Sequence, residues 1–324
     1  MGKIIVADLQ KRSKKGIEYG RKILKAESIC EPKLREALDY YLENWGDFVH
    51  PGLFAAACEA SGGNPDSVVP AQAAVAIMAA AFDIQDDIID KSKEKHNKPT
   101  VYGKYGAEIA ILLGNAFLIE GFKLFVDSAS QLPKENCNKA LEKLKSLLFE
   151  LGNAHGLELG FKNSTNGSPA DYMKIIEMKA AGIEADLCLG AIFGEANDSE
   201  VKNLARIGRI LGILITLRED FIDIFEFEEL RQRIAAYDLP LPLIAIIRSE
   251  APTKDLLEIL QKRRISKADA NKILAIALDS KPAAEIKKRM QLLIREGTNL
   301  SNKLPNVELQ GNLRALLSFM LEDL

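Results

Sequence analysis

Asp86-Asp87-Ile88-Ile89-Asp90 closes a long apolar run, Val68 to Phe82, that carries no charge. On a helix, positions four apart share a face, so Asp86 and Asp90 point the same way. Carboxylates packed this closely repel one another unless a cation or a ligand offsets them. Paired oxygen donors of this kind suit Mg²⁺, which keeps several waters and is completed by phosphate oxygens. The competing reading is an acidic helix end bathed in water. Glu219, Asp220 and Asp223 repeat the pattern in LITLREDFIDIF, with Glu219 and Asp223 again four apart. Two such clusters on two apolar helices suggest facing walls of one cavity, able to hold several Mg²⁺ ions around a diphosphate. Two unrelated exposed helix ends are the alternative.

The elements that must carry these clusters read as helical almost throughout. Ala, Leu, Ile, Lys and Glu dominate, and alternating Val/Thr/Tyr runs are missing. Apolar residues recur at three- and four-residue spacing in Leu34–Leu42, Ile109–Phe125, Ala140–Leu151, Tyr172–Phe193, Val201–Phe225 and Ala283–Ile294. Turn signals fall at Gly62-Gly63-Asn64-Pro65, Asn97-Lys98-Pro99, Asn166-Gly167-Ser168-Pro169 and Leu304-Pro305. Ser67 to Asp90 is too apolar for a surface helix and reads as a central core helix. One all-α domain over residues 1–324, a helical bundle of about ten to twelve helices around an apolar cavity, is expected.

Composition bounds the function. The chain has 324 residues, 47% of them hydrophobic, enough for a large core, and its net charge of −3 leaves no basic face for nucleic acid. Cys30, Cys58, Cys137 and Cys188 are scattered without C-x-x-C spacing, as buried reduced thiols would be. The start, MGKIIVADLQKRSKKG, does not read as a signal peptide, and no segment reaches the roughly 18 apolar residues of a membrane span. A cytoplasmic protein with no stable membrane span is expected.

At this point the chain resembles the trans-polyprenyl diphosphate synthases of the class I isoprenoid synthase fold. FDIQDDIIDKSKEKHNKPTVYGKYGAEIAILLGNAFL follows that family's first Asp-rich region, including Lys98-Pro99-Thr100. EDFIDIF stands at the second Asp-rich motif, and MKIIEMKAAGIEADLCLGAIFG resembles the helix that carries a Lys-Thr pair. GLELGF (Gly156–Phe161) and the late LPNVELQGNLRALLSFML fit as well. The resemblance implies two to three Mg²⁺ ions on Asp86, Asp90, Glu219 and Asp223, with Asp87 and Asp220 in support. It implies ionisation of an allylic prenyl diphosphate, helped by lysines, and attack on the resulting cation by an acceptor double bond. Lys95 and Lys179 take the catalytic, diphosphate-gripping positions, with Lys98 and His96 beside them. Met78, Ala81 and Phe82 would floor the prenyl pocket for a tail of about C15–C20.

The chain also departs from that pattern. Lys95 replaces an arginine and lacks its bidentate fork. Ala180 replaces the threonine after Lys179, Glu219 replaces an aspartate, and Thr216 replaces a glutamine. The element that docks isopentenyl diphosphate, Gly-Lys-x-x-Arg-Pro, here reads Gly46-Asp47-Phe48-Val49-His50-Pro51. Its lysine has become Asp47, and its arginine has become His50, ordinarily neutral at pH 7. A histidine before the first motif is Ala79, an arginine after it is His96, and the Gly-Lys loop after the second motif is shortened. Losing several charged hydrogen bonds to an anion, at about 1.5–3 kcal/mol each, points away from isopentenyl diphosphate as acceptor. The leading expectation is therefore a Mg²⁺-dependent prenyltransferase with some other, unknown acceptor. A conventional farnesyl- or geranylgeranyl-type elongating synthase is the alternative, and a weakly active subunit in a heteromer with an active synthase is the third. A homodimer packed through Ile109–Phe125 is also expected.

Overall fold

Apolar residues on one face, Pro at first turns and polar caps between them produce a chain of helices. The computed structural model describes residues 2–95, 98–162, 167–249, 254–262, 264–322 and 324. It forms two compact units: one of Lys3–Leu144 and Asp186–Lys202, here the first, and one of Met1–Gly2, Lys145–Ala185 and Asn203–Leu324, here the second. The boundaries fall within helices α7 (Lys134–Lys162), α9 (Ala181–Phe193) and α10 (Asp198–Phe225).

In the first unit, α1 (Gly2–Ala26), α2 (Pro32–Asn44), α3 (Val49–Ala60), α4 (Val69–Ile89), α5 (Val101–Tyr105) and α6 (Ala107–Ala129) follow one another. The expected core helix is α4, and from Ala71 to Met78 every side chain is buried. It packs tightly on α6 because Gly121 has no side chain. A Cβ there would lie 2.6 Å from Met78 Cγ and 3.1 Å from the Ala74 carbonyl. Phe54, Phe117, Phe125 and Ile77 fill the surrounding core. The charged segment after α4 contains a short antiparallel pair, β1 (Glu94–Lys95) and β2 (Lys98–Pro99), in register Glu94↔Pro99 and Lys95↔Lys98.

Among the described residues, α6 is the one helix long and apolar enough to cross a membrane. This corrects the expectation that no such segment exists. Glu120 and Lys123 interrupt its apolar run, so a search for uninterrupted stretches passes over it. One face of α6 is buried through Leu113, Phe117 and Phe125, as in a core helix. Cys58 and Cys188 are buried, Cys30 is exposed, and none of the four cysteines forms a disulfide.

In the second unit the expected helix over Tyr172–Phe193 is broken. Helix α8 (Pro169–Lys179) ends at Ala180, where Gly212 of α10 comes close against the backbone, and α9 restarts at Ala181. Ser168 opens α8 with a reciprocal capping box to Asp171, and Pro169 fits the first turn. Arg209 on α10 donates to Glu150 Oε1 on α7 at 2.6 Å and to the Glu177 carbonyl on α8 at 2.7 Å. That clamp sets the end of α8 on its neighbours. Helices α11 (Phe227–Ala235), α12 (Leu241–Ile247), α13 (Lys254–Leu260), α14 (Lys267–Asp279), α15 (Lys281–Ser301) and α16 (Val307–Phe319) complete the unit. Ile224, Leu230, Leu243, Leu256 and Ile273 form a separate apolar cluster under the loop that follows α10.

Candidate functional site

The first carboxylate cluster sits on the last two turns of α4. Asp86 is half-buried, Asp87 buried, and Asp90 is the exposed C-cap, its N–H donating to the Asp86 carbonyl at 2.8 Å. Lys95 reaches back from β1 and meets Asp83 Oδ1 at 2.9 Å and Asp87 Oδ1 at 2.7 Å. Asp83 and Asp87 are four apart, so one helical face carries the lysine and the next carries Asp86 and Asp90. Burial pushes Asp87 up to about 6, with Lys95 opposing it. Burial works against the Lys95 ammonium, but Asp83 and Asp87 outweigh it and raise its pKa.

The hairpin that carries Lys95 is pinned on all sides. Tyr40 donates to the Pro99 carbonyl at 2.6 Å, and Lys98 Nζ donates to Asn44 Oδ1 at 3.0 Å. Thr100 caps α5 by accepting from the Gly103 N–H and donates its hydroxyl to the Ser92 carbonyl. Gly103 admits this arrangement because any Cβ would overlap the Lys93 carbonyl. His96 lies outside the described residues.

The residues expected to form the weakened acceptor side lie in the same unit. Asp47 Oδ1 accepts from the Val49 N–H at 3.0 Å at the start of α3. His50 Nδ1 lies 2.6 Å from Asp186 Oδ2, a carboxylate buried in the apolar helix α9. Burial works against the imidazolium, yet Asp186 and then Asp47 raise His50 from 6.5 to about 10. This corrects the expectation of a neutral histidine: His50 is charged at pH 7, with its charge committed to Asp186. Ala79 is half-buried on α4. Of the pocket-floor residues, Ala81 is fully buried, Met78 packs beside Gly121, and Phe82 is half-buried.

The second cluster ends α10 in the second unit. Asp220 is buried, and its Oδ2 accepts from the Leu241 N–H at 2.9 Å. Its Oδ1 accepts from Arg233 Nη1 at 2.9 Å, and the same nitrogen donates to Asp223 Oδ2 at 2.5 Å. Arg233 Nη2 donates to the Tyr172 hydroxyl at 3.1 Å, and Nε donates to the Asp238 carbonyl at 2.8 Å. Burial pushes Asp220 up to about 6 against the pull of Arg233. Glu219 reaches the surface, yet the protein that displaces water around it, followed by Asp223 and Asp220, pushes it up to about 7. Lys179 Nζ lies 2.5 Å from Glu158 Oε2 on α7, and Lys162 lies 3.8 Å from the other oxygen. Thr216 donates to its own helix at Gly212, and Arg218 bonds the Phe319 and Glu322 carbonyls rather than Glu219.

The donor chemistry therefore differs between the clusters. Asp86 and Asp90 present hard oxygens at helix spacing, a set that fits Mg²⁺. Asp220 and Asp223 already hold a guanidinium; among the described residues neither cluster brings three His, Cys, Asp or Glu side chains together as a metal group. Asp83, Glu158, Asp186 and Arg233 are the participants that sequence reasoning missed. Asp186 alone left a local signal, as a lone carboxylate inside an apolar helical run that must find a partner.

An all-α fold with an Asp-rich helix end in each of two units defines the isoprenoid synthase class. The chain matches the polyprenyl synthetase family over residues 31–277 and belongs to that family; it is a prenyltransferase. It is 26% identical to the geranylgeranyl diphosphate synthase of Sulfolobus acidocaldarius over 255 residues, 78% of this chain and 74% of that one. Its fold is similar to geranylgeranyl pyrophosphate synthetase from Pyrococcus horikoshii Ot3, with TM-score 0.86, 22% identity, and 99% and 98% of the two chains covered. It is also similar to a polyprenyl synthase from Caulobacter crescentus CB15 complexed with calcium and isoprenyl diphosphate, with TM-score 0.81, 20% identity and 97% of each chain covered.

Proposed function

We propose that the chain is an elongating prenyl diphosphate synthase of geranylgeranyl type, working as one domain over residues 1–324. It would join an allylic prenyl diphosphate of about C15, the lower end of the expected C15–C20 range, to isopentenyl diphosphate. The observation that carries this reading is the Asp86–Asp90 pair beside Lys95, on a chain whose relatives include geranylgeranyl diphosphate synthases. These relatives favour the conventional acceptor over the leading expectation of a different one. Asp86 and Asp90 would hold Mg²⁺, which when bound draws negative charge from the leaving diphosphate. Lys95, with Lys98, would exchange its present partners for phosphate oxygens as the allylic C–O bond breaks, and Lys179 is the corresponding candidate lysine of the second unit. The acceptor double bond then attacks the allylic carbon, and the proton released from the acceptor passes to diphosphate oxygen. Met78, Ala81 and Phe82 would line the dry end of the tail pocket.

A second reading, transfer to a less anionic acceptor, is favoured by one observation. In the element that would dock isopentenyl diphosphate, Asp47 adds negative charge and His50 is already paired with Asp186. Incubation with Mg²⁺ and geranyl, farnesyl or geranylgeranyl diphosphate, with and without isopentenyl diphosphate, separates the two. Lengthened products that require isopentenyl diphosphate are expected. Diphosphate release from the donor alone, with no lengthened product, would overturn the first reading in favour of the second. We further propose a cytoplasmic homodimer, since Ile111, Leu112, Ile119 and Phe122 of α6 are exposed. Sedimentation at a single-chain mass would exclude the dimer.

A further inference from the structure

The second carboxylate cluster already has a cation. Arg233 is bound through Nη1 to Asp220 and Asp223, through Nη2 to the Tyr172 hydroxyl, and through Nε to the Asp238 carbonyl. Every guanidinium nitrogen therefore has a partner, and the side chain is only 17% exposed. The site is also stiff. Asp220 is fixed from its other oxygen by the Leu241 N–H at the start of α12, and Tyr172 is buried on α8. Asp238, which carries the carbonyl, has its own carboxylate 3.3 Å from Lys162. A guanidinium stays charged at every working pH, and here one of its nitrogens bridges two carboxylates.

A Mg²⁺ ion needs its oxygens at about 2.0–2.1 Å in a near-octahedral shell. Asp220 Oδ1 and Asp223 Oδ2 are the oxygens that Arg233 holds, and Asp220 Oδ2 faces a backbone N–H. A divalent ion at Asp220 Oδ1 or Asp223 Oδ2 would meet a fixed positive charge and would have to compete with the Arg233 Nη1 bond on that oxygen. Glu219 remains outside the clamp, and of the carboxylate four residues on, Arg233 holds one oxygen.

We propose that Arg233 is the resident cation of this cluster, so that Asp220 and Asp223 bind no divalent ion in the native chain. The metal requirement then falls on the Asp86–Asp90 end of α4. That second clause rests on the proposed prenyl transfer reading, whereas the first stands on the Arg233 geometry alone. The cluster works as a fixed electrostatic brace: it keeps α10, α11 and α8 together whether or not metal is present.

Mn²⁺ binding to the full chain, counted from the loss of the free-ion paramagnetic signal, tests this without turnover. Asp223→Asn should leave the number of bound Mn²⁺ ions unchanged. Arg233→Met should uncover one additional site, at least about tenfold tighter than any second-unit binding in the native chain. Arg233→Lys, which keeps the charge, should uncover none and serves if the methionine variant does not fold. Loss of a bound Mn²⁺ in Asp223→Asn, or no new site in a folded Arg233→Met, would overturn the proposal. The Asp86→Asn/Asp90→Asn variant separates the two readings. Undiminished Mn²⁺ binding there would sink the first-cluster assignment, while the Arg233 and Asp223 comparisons would still decide the brace.

Discussion

Asp186→Asn isolates the charge that α9 supplies to His50. In the folded chain His50 is raised from 6.5 to about 10, with Asp186 the leading favourable cause against burial. At 1.36 kcal/mol per pH unit, that rise sets a ceiling of about 5 kcal/mol on the stabilisation. The imidazole is 32% exposed, so water screens part of it. Asp186 also loses hydration in the fold, which raises its own pKa and offsets some of the gain. We therefore expect a loss of about 2 kcal/mol at pH 6 to 7. Because the folded state holds the His50 proton more tightly, the stabilisation is complete below about 6.5 and fades as pH rises through about 10. Across that window the native chain should lose stability with a slope of up to about 1.4 kcal/mol per pH unit from this group, and Asp186→Asn should be flatter. Urea unfolding of both proteins between pH 6 and 9, followed by circular dichroism and by the emission of Trp45, measures the difference directly. A gap between them that stays the same size at pH 6 and pH 9 would refute the charged-pair argument.

Three further variants address the site. Gly103→Ala forces a methyl group into the Lys93 carbonyl and should displace the hairpin that aims Lys95, costing about 1–3 kcal/mol in stability; an unchanged melting midpoint would count against that close approach. Asp86→Asn/Asp90→Asn should lower Mg²⁺-dependent diphosphate release by at least about a hundredfold, roughly 3 kcal/mol of barrier, and steady-state assays with a single allylic donor would show it. Phe82→Ala should lengthen the tail that is accepted, and an unchanged donor preference would remove Phe82 from the pocket floor.

The helices were legible because their apolar spacing is regular. The segment Ser67–Asp90 became α4 at Val69–Ile89, and Val201–Phe225 became α10 with a start three residues earlier. The break at Ala180 was not, since Lys179-Ala180-Ala181 are good helix formers and the nearby Gly182 lies inside α9; the approach of Gly212 is a tertiary effect. The clusters themselves could be read from i, i+4 spacing, but their partners could not. His50 and Asp186 are 136 residues apart, and nothing local announces that pairing. Arg233 stands in a charged, surface-like helix, EELRQR, where its neighbours Arg231 and Gln232 are exposed. Only the fold selects which of those polar side chains turns inward. The run Lys91–Lys98 shows the same limit: most of its described residues are exposed, yet its contacts to Tyr40, Asn44 and Asp83 come from outside the segment and leave no local signal.

Lys95, shared between Asp83 and Asp87, carries a consequence for selectivity. Its two partners together offer about as much negative charge as a phosphate monoester. A ligand with one negative charge therefore gains little by drawing the ammonium away, because it replaces two contacts with a weaker one. A diphosphate, with about two to three charges, can win the exchange. In the proposed diphosphate role the lysine would act as a threshold device, adding modest affinity for any anion but sorting strong anions from weak ones. Lys179 on Glu158 sets a second, lower threshold of the same kind. If Lys95 binds diphosphate as proposed, inorganic diphosphate should pass its threshold, and its departure should quicken as salt rises.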